Sequence, residues 1–191
     1  RAAPGANCPE RDSAEGSSVS KFHSLAVSKV ERETRDAIAI TFDVPEKLRE
    51  QFLFEPGQHL TLRTAIGGED IRRSYSICAP TGGPLRIAVK RSPGGVFSMW
   101  ANEALREGAT LDVMPPMGHF GVSHDPQAAR HYLGVAAGSG ITPLVSIIAS
   151  ALRTEPNSRF TLVFGNRASS TVMFRDELAA LKDRYLGRFN L

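Results

Sequence analysis

The chain has 191 residues, of which 41% are hydrophobic and 23% charged. These proportions are ordinary for a globular protein and exclude a largely disordered chain, and the length allows two small domains. The 23 basic and 20 acidic side chains leave a formal net charge of +3, and the basic ones are scattered rather than gathered in runs. This scatter argues against a nucleic-acid partner.

The cysteines and histidines indicate which metal sites and which cellular compartment to expect. With only two cysteines, Cys8 and Cys78, neither a disulfide framework nor a thiolate metal site is predicted, and a reducing, cytoplasmic compartment is expected. The five histidines show no metal-ligand spacing, and His119 and His124 are expected in or near loops. No apolar run approaches the roughly 20 residues of a membrane helix and no signal-peptide core follows the basic start, so no membrane association is predicted.

The first part of the chain alternates short strands with turns. Residues 1–20 are rich in Gly, Ser, Pro and Ala, lack an apolar period and are predicted to be a disordered tail. From 21 to 122, six strands and one helix, at 97–106, predict a six-stranded antiparallel β-barrel, with a sandwich as the alternative. The predicted strands are 22–32, 37–43, 58–64, 71–79, 85–90 and 110–114.

The pattern changes after "SHDPQ" at 123–127, which is predicted to be a linker. From 128 to 191 strand and helix alternate: "HYLGVAAG" as a buried parallel strand, an apolar helix face from Leu144 to Leu152, "FTLVFG", and a second helix carrying Phe174 to Tyr185. The alternation predicts a parallel α/β nucleotide-binding domain. Because "RFNL" begins a third strand as the sequence ends, this domain is expected to be incomplete.

The stretch "GSGITP" at 138–143 lies between the first parallel strand and its helix. Gly138 and Gly140 allow a tight turn whose backbone N–H groups approach a phosphate, and Thr142 is the expected cap, with Pro143 in the first helical turn. Pro143 stands where the G-x-G-x-x-G fingerprint has its third glycine, so the helix is expected to begin differently from that of a typical dinucleotide-binding fold.

The second parallel strand ends in "FGNR" at 164–167. Ligands lie at the carboxyl ends of such strands, where many NAD enzymes place an acid for the ribose hydroxyls, whereas this chain has Asn166 and Arg167. The planar fork of Arg167 suits a phosphate, including a 2′-phosphate. A solvated loop arginine is the alternative.

The strand "RRSYSIC" at 72–78 is unusually polar for a barrel core. Alternation places Arg73, Tyr75 and Ile77 on one face, where an aromatic ring beside a guanidinium suits a flat ring system bearing a phosphate. An edge strand with its polar residues in water is the other interpretation. "SPGGVFS" at 92–98 adds a second glycine turn before a helix, so two phosphate-bearing ligands are predicted.

Six motifs in order resemble those of the ferredoxin-NADP reductase-like flavoproteins. They are Arg73-x-Tyr75-Ser76, "VKR" at 89–91, "GGVFS" at 94–98, "PPMGHF" at 115–120, "GSGITP" at 138–143 and "FGNR" at 164–167. The likeness covers about 22–191 and is greatest to the reductases of multicomponent oxygenases, including the phenylacetyl-CoA epoxygenases.

The resemblance implies a function and its cofactors. Electrons would pass from NADPH, with NADH as a second possibility, through FAD and a carboxyl-terminal [2Fe–2S] domain to an oxygenase or epoxygenase component in phenylacetyl-CoA or other aromatic degradation. A plant-type cluster needs four cysteine thiolates, so that domain is expected to lie outside this sequence. A non-catalytic FAD- or nucleotide-binding module and a purely structural barrel remain as alternatives.

The resemblance also implies roles for individual residues. Arg73 would bind the FAD pyrophosphate, while Tyr75 and Ser76 would contact the flavin ring as the catalytic pair. The other implied FAD contacts are Ile77, Ala88, Val89, Lys90, Gly94, Gly95, Val96 and Ser98. The implied contacts of the nicotinamide nucleotide are Gly138, Ser139, Gly140, Thr142, Pro143, Gly165, Asn166, Arg167 and Ser169.

Overall fold

Residues 21–191 are the part of the chain that the computed structural model describes, and the predicted tail at 1–20 lies outside them. The first half forms one antiparallel sheet of six strands in the order β4-β3-β6-β1-β2-β5. The strands are β1 (His23–Thr34), β2 (Ala37–Asp43), β3 (His59–Ile66), β4 (Glu69–Ser76), β5 (Arg86–Lys90) and β6 (Thr110–Val113), and helix α1 spans Val96–Ala104. The predicted strands and helix are confirmed, with shifts at their ends.

The sheet closes on itself, which confirms the predicted barrel. A single bridge between Ile77 and Ile87 joins the chain just after β4 to β5, the two outer strands of the order. Alternate side chains point inward and are removed from water, as Leu60 and Leu62 on β3 illustrate at 0% exposure. Phe97 of α1, also buried, belongs to the same core.

The second half is a parallel sheet covered on one face. Its strands are β7 (His131–Ala137), β8 (Arg159–Gly165) and β9 (Phe189–Asn190), in that order, and its helices are α2 (Ile141–Thr154) and α3 (Arg175–Arg184). The predicted α/β alternation is confirmed. The prediction that β7 is a buried strand holds for one face of the sheet only. On the opposite face, Leu133 and Val135 of β7 are 70% and 71% exposed, and Val163 of β8 is 55% exposed.

Helix α2 joins the two halves. Small barrel residues, Ala37 and Cys78 among them, share one buried cluster with Ile141 and Val145 of α2. The buried Ser146 hydroxyl donates a 2.6 Å hydrogen bond to the Ala79 carbonyl. The helix that follows the glycine turn is therefore fixed directly to the segment that follows β4.

The bounds of β4 and α3 differ from the predicted ones. Strand β4 ends at Ser76 rather than at 79, because Ile77, Cys78 and Ala79 are all buried and the alternation of faces stops there. Phe174 lies outside the second helix: it precedes α3 in a left-handed conformation with φ of 57°. Among residues 21–191, no helix is long and apolar enough to cross a membrane.

Candidate functional site

At the end of β4, the half-buried Tyr75 packs against the barrel core. The ring of Tyr75 lies 5.4 Å from that of Phe97, at a tilt of 35°. Burial raises the pKa of Tyr75 to about 12, against the opposing influence of Arg73, so its hydroxyl remains a hydrogen-bond donor at neutral pH. Ser76, half-buried, is the next residue and the last of the strand.

Arg73 lies on the same strand and retains free donor capacity. Its Nη1 donates to the carbonyl of Arg72 at 2.6 Å. The neighbouring Arg72 is instead paired with Asp70, at 2.9 Å between Nη2 and Oδ2. A guanidinium has five N–H donors, so most of those on Arg73 are available to an anion.

The glycine turn before α1 has the geometry of an anion cradle. Gly94 has φ of 73°, and the first turn of α1 carries no acidic side chain. The Ser98 hydroxyl donates to the Gly95 carbonyl at 3.0 Å and accepts from the Ser92 N–H at 3.1 Å. Since that hydroxyl is engaged within the turn, the groups left for a phosphate are the first N–H groups of the helix.

A cleft of about 1080 Å³ separates the barrel from the α/β half. Pockets of about 300–1,000 Å³ hold drug-sized ligands, so this cleft is large enough for a nucleotide. Four basic residues and one acid are among the residues that line it. The barrel contributes Arg35, Asp36, Lys90, Arg91, Pro93, Gly94 and Met99, and the α/β half contributes Ala137, Gly138, Ser139, Gly165, Asn166, Arg167, Ala168 and Thr171.

The turn at 138–140 forms one wall of this cleft as a short 3₁₀ helix. Helix α2 begins at Ile141, and its cap is Gly140 without a side-chain hydrogen bond, so the prediction that Thr142 caps the helix is wrong. Thr142 is the second helical residue, buried, and donates to the Ser139 carbonyl at 2.7 Å. Pro143 is in the first turn, as predicted.

Of Gly138 and Gly140, only Gly138 has a backbone conformation that favours glycine. Gly138 has φ of 51°, whereas Gly140 has φ of −64°, and a Cβ on either would meet no atom within 4 Å. We expect Gly138→Ala to lower the free energy of unfolding by about 1–2 kcal/mol through backbone strain alone. Gly140→Ala, the matched control, should leave it unchanged or raise it. Urea unfolding of both variants measures this, and equal effects would contradict the assignment.

Asn166 and Arg167 are the polar residues that follow β8 in the lining of the cleft. The Asn166 Oδ1 is buried without a hydrogen-bond partner among the described residues. An unpaired buried acceptor is costly, and a ribose hydroxyl donating to it would remove that cost. Arg167 is exposed beside it in the same cleft, where a phosphate can pair with it. The residues present therefore fit a nicotinamide nucleotide.

The structure brings together only some of the residues proposed from the sequence. The cleft gathers Lys90, Gly94, Gly138, Ser139, Gly165, Asn166 and Arg167. Outside its lining lie Arg73, Tyr75, Ser76, Ile77, Ala88, Val89, Gly95, Val96, Ser98, Gly140, Thr142, Pro143 and Ser169. Ile77, Ala88 and Val89 are at most 5% exposed, so their side chains are closed to a ligand in this structure. Their roles stay predictions.

Several residues that line the cleft were not predicted from the sequence. Arg35 and Asp36 form the turn between β1 and β2, and they reach the cleft because Ala37 pairs with Lys90 across β2 and β5. Only this register reveals them, so no sequence signal was available. Arg91 belongs to the "VKR" motif and could have been found from it.

Comparison with known proteins agrees with this architecture. Residues 24–122 match the oxidoreductase FAD-binding domain family, and residues 135–191 match the oxidoreductase NAD-binding domain family. The chain belongs to the ferredoxin-NADP reductase-like flavoproteins, NAD(P)H-dependent oxidoreductases in which an FAD-binding barrel precedes an α/β domain for the nicotinamide cofactor.

Individual relatives narrow the comparison. The chain is 55% identical, over 91% of its length and 49% of the relative's, to one component of the 1,2-phenylacetyl-CoA epoxidase of Escherichia coli (strain K12). It is 39% identical, over 87% and 47%, to the ferredoxin reductase component of a Rhodococcus rhodochrous 3-ketosteroid-9-alpha-monooxygenase. It therefore spans about half the length of these curated relatives.

A solved structure supports the fold. Plasmodium falciparum ferredoxin-NADP⁺ reductase with 2′P-AMP aligns with a TM-score of 0.75 at 16% identity, covering 88% of this chain and 70% of that one. At this identity the likeness concerns the fold alone.

Proposed function

We propose that the protein is the reductase of a multicomponent oxygenase, taking electrons from NADPH and passing them through FAD to an oxygenase component. The observation that carries the proposal is the cation-lined cleft, which adjoins the glycine turn at 94 and has an unpaired acceptor on Asn166. The 55% identity to a phenylacetyl-CoA epoxidase component supports an epoxygenase in aromatic degradation as that partner.

We propose that each half of the chain binds one cofactor. Residues 21–122 form the FAD domain, 123–127 a linker, and 128–191 the first part of the nucleotide domain, in a cytoplasmic protein. When bound, FAD supplies the acceptor for a hydride and a donor of single electrons. Arg73 and the first turn of α1 bind the pyrophosphate. Tyr75 would pack against the flavin ring, and Ser76 would donate a hydrogen bond near its N5.

The cleft residues orient the nicotinamide nucleotide. Gly138 and Ser139 hold its phosphates through the turn before α2, and Asn166 accepts from a ribose hydroxyl. Holding the nicotinamide at near-attack distance from the flavin would supply part of the rate.

We further propose that a [2Fe–2S] cluster outside residues 21–191 takes the electrons onward. Within that range the only cysteine is Cys78, which is buried, and burial raises the pKa of its thiol to about 12. A plant-type cluster requires four thiolates. Iron and acid-labile sulfide in the full-length protein, in equal amounts and two of each per flavin, are the expected analysis.

Flavin content separates the reductase from a purely structural barrel. The full-length protein is expected to be yellow as purified or after reconstitution with FAD, with FAD identified after denaturation. Failure to take up FAD would remove the basis of the proposed function. A non-catalytic FAD module, in contrast, would bind the flavin and leave it oxidised in the presence of NADPH.

Arg167 is expected to select NADPH over NADH. Loss of its charge-assisted bond to the 2′-phosphate costs about 1.5–3 kcal/mol, so Arg167→Ala should raise KM for NADPH at least about tenfold and leave KM for NADH nearly unchanged. Arg159→Ala removes another exposed arginine at the opposite end of β8 and is the control. Equal losses with both nucleotides would rule out the 2′-phosphate as the partner of Arg167.

A further inference from the structure

A partly buried cluster of charges joins the barrel to helix α3. Arg86 on β5 donates from Nη2 to Oε1 of Glu33 on β1 at 2.6 Å, and from Nη1 to Oε1 of Glu177 on α3. The side chains of Arg86 and Glu33 are 15% and 13% exposed, and that of Glu177 is 42% exposed. One guanidinium thus bridges two barrel strands and a helix of the other half.

The same cluster holds the strained start of α3. Phe174, immediately before the helix, is the only non-glycine residue with positive φ among residues 21–191. Its N–H donates to Oε2 of Glu33 at 3.2 Å, and the guanidinium carbon of Arg86 lies 5.6 Å from its ring centroid. Left-handed backbone persists only where its surroundings determine it, and here the barrel carboxylate does so.

Keeping these charges buried is costly. Burial raises the pKa of Glu33 above its ordinary value, although Arg86 and the Phe174 N–H act to lower it. The Nε of Arg86 is also buried without a partner among the described residues. Replacing a buried ion pair by apolar residues is often neutral or stabilising, so stability alone does not explain the cluster.

Its location points to a different role. Glu33 lies two residues before Arg35 of the cleft, and Arg86 lies four residues before Lys90 on β5. From the α/β half, Phe174 follows Thr171 of the cleft by three residues. Glu33, Arg86 and Phe174 are therefore each attached by a short stretch of chain to the lining of the cleft, and their contacts join lining segments of the barrel and of the α/β half.

We propose that Arg86, with Glu33 and Glu177, is a positioning residue that fixes the two walls of the cleft relative to each other and so sets the distance between nicotinamide and flavin. This inference rests on the proposed function. The three side chains touch neither cofactor: they act through Lys90 and the turn at Arg35 on one side and through the start of α3 on the other. A misplacement of about 1 Å in such a reaction lowers the rate by up to about 100-fold.

The test compares Glu177→Gln, Glu33→Gln and Arg86→Lys in the full-length protein loaded with FAD. A matched control is Glu46→Gln, which alters an exposed pair with Arg49 at 2.7 Å. Anaerobic rapid mixing gives the rate of flavin reduction at saturating NADPH and its primary isotope effect with deuterated NADPH. We expect Glu177→Gln to lower that rate at least about tenfold and to change the isotope effect, with FAD affinity within about twofold of wild type.

Hydrogen exchange of the protein without nucleotide gives an independent readout. Amides of α3 should exchange faster in Glu177→Gln than in wild type or Glu46→Gln. The inference is overturned if all three variants have a lower Tm but keep the wild-type rate of flavin reduction and the wild-type isotope effect. The cluster would then have only a structural role. If instead neither NADPH nor NADH reduces the flavin of the wild-type protein, the proposed function itself fails, and the positioning role fails with it.

Discussion

FAD is expected to bind the Arg73→Ala variant about 10- to 150-fold more weakly than wild type. Arg73 is exposed on β4, forms no ion pair within residues 21–191, and carries free donors that suit a pyrophosphate. A hydrogen bond to a charged group is worth about 1.5–3 kcal/mol, and each 1.4 kcal/mol is tenfold in affinity. The dissociation constant is measured by quenching of FAD fluorescence on titration with apoprotein.

The adjacent arginine is a close control. Arg72 lies on the same strand, is similarly exposed, and pairs with Asp70, so Arg72→Ala should leave the affinity within about twofold. Arg73→Lys keeps the charge but loses the planar fork and should recover only part of the affinity. If Arg73→Ala and Arg72→Ala bind FAD alike, the pyrophosphate lies elsewhere.

Replacing Glu155 by alanine is expected to lower the free energy of unfolding by about 1–3 kcal/mol, because the donors that pair with its carboxylate lose their acceptor. Glu155 is fully buried just after α2. It accepts from the Tyr132 hydroxyl at 2.9 and 3.0 Å and from the Asp125 N–H at 3.1 Å. This one side chain thereby ties the 123–127 segment and β7 to the end of α2.

The same cluster predicts a pH dependence. Burial alone would raise the pKa of Glu155, but Ser158, the Asp125 N–H, Tyr132 and Arg130 together hold it below its ordinary value of 4.5. A lowered native pKa gives stability that is present above the unfolded pKa and is lost as pH falls through the native one. Wild type should therefore lose stability below about pH 4.5, and Glu155→Gln should lose less.

Urea unfolding at neutral pH and at about pH 4 measures both effects. Tyr132→Phe removes one donor and keeps the ring that stacks on Phe160, so it should cost only about 1 kcal/mol. A Glu155→Ala variant within about 0.5 kcal/mol of wild type would show that the cluster does not stabilise this region.

Local sequence signals predicted the elements well because their causes are local. Alternation along β1 to β6 and the apolar face of α2 depend on residues only two to four positions apart. The predicted alternation of faces in "RRSYSIC" is wrong beyond Ser76, because the chain leaves the strand there and the next three residues are all buried. Thr142 failed as a cap because the preceding 3₁₀ turn starts the helix one residue before it.

Features that depend on distant pairing could not be predicted. Glu33, Arg86 and Glu177 are scattered charges in the sequence and meet only after the barrel closes and α3 packs against it. The sequence places His124 in a loop, yet both its ring nitrogens are buried and its Nδ1 lies 3.5 Å from Glu155. Sequence spacing carries no information about such contacts.

Anaerobic titration of the FAD-loaded, full-length protein with NADPH tests the central claim most directly. We expect NADPH to bleach the absorbance of oxidised flavin, with complete reduction at about 1.5 equivalents per FAD, because the flavin and the proposed cluster together hold three electrons. NADH should act more slowly or at higher concentration. A protein that binds FAD stoichiometrically but keeps it oxidised with both nucleotides would contradict the assignment as a reductase.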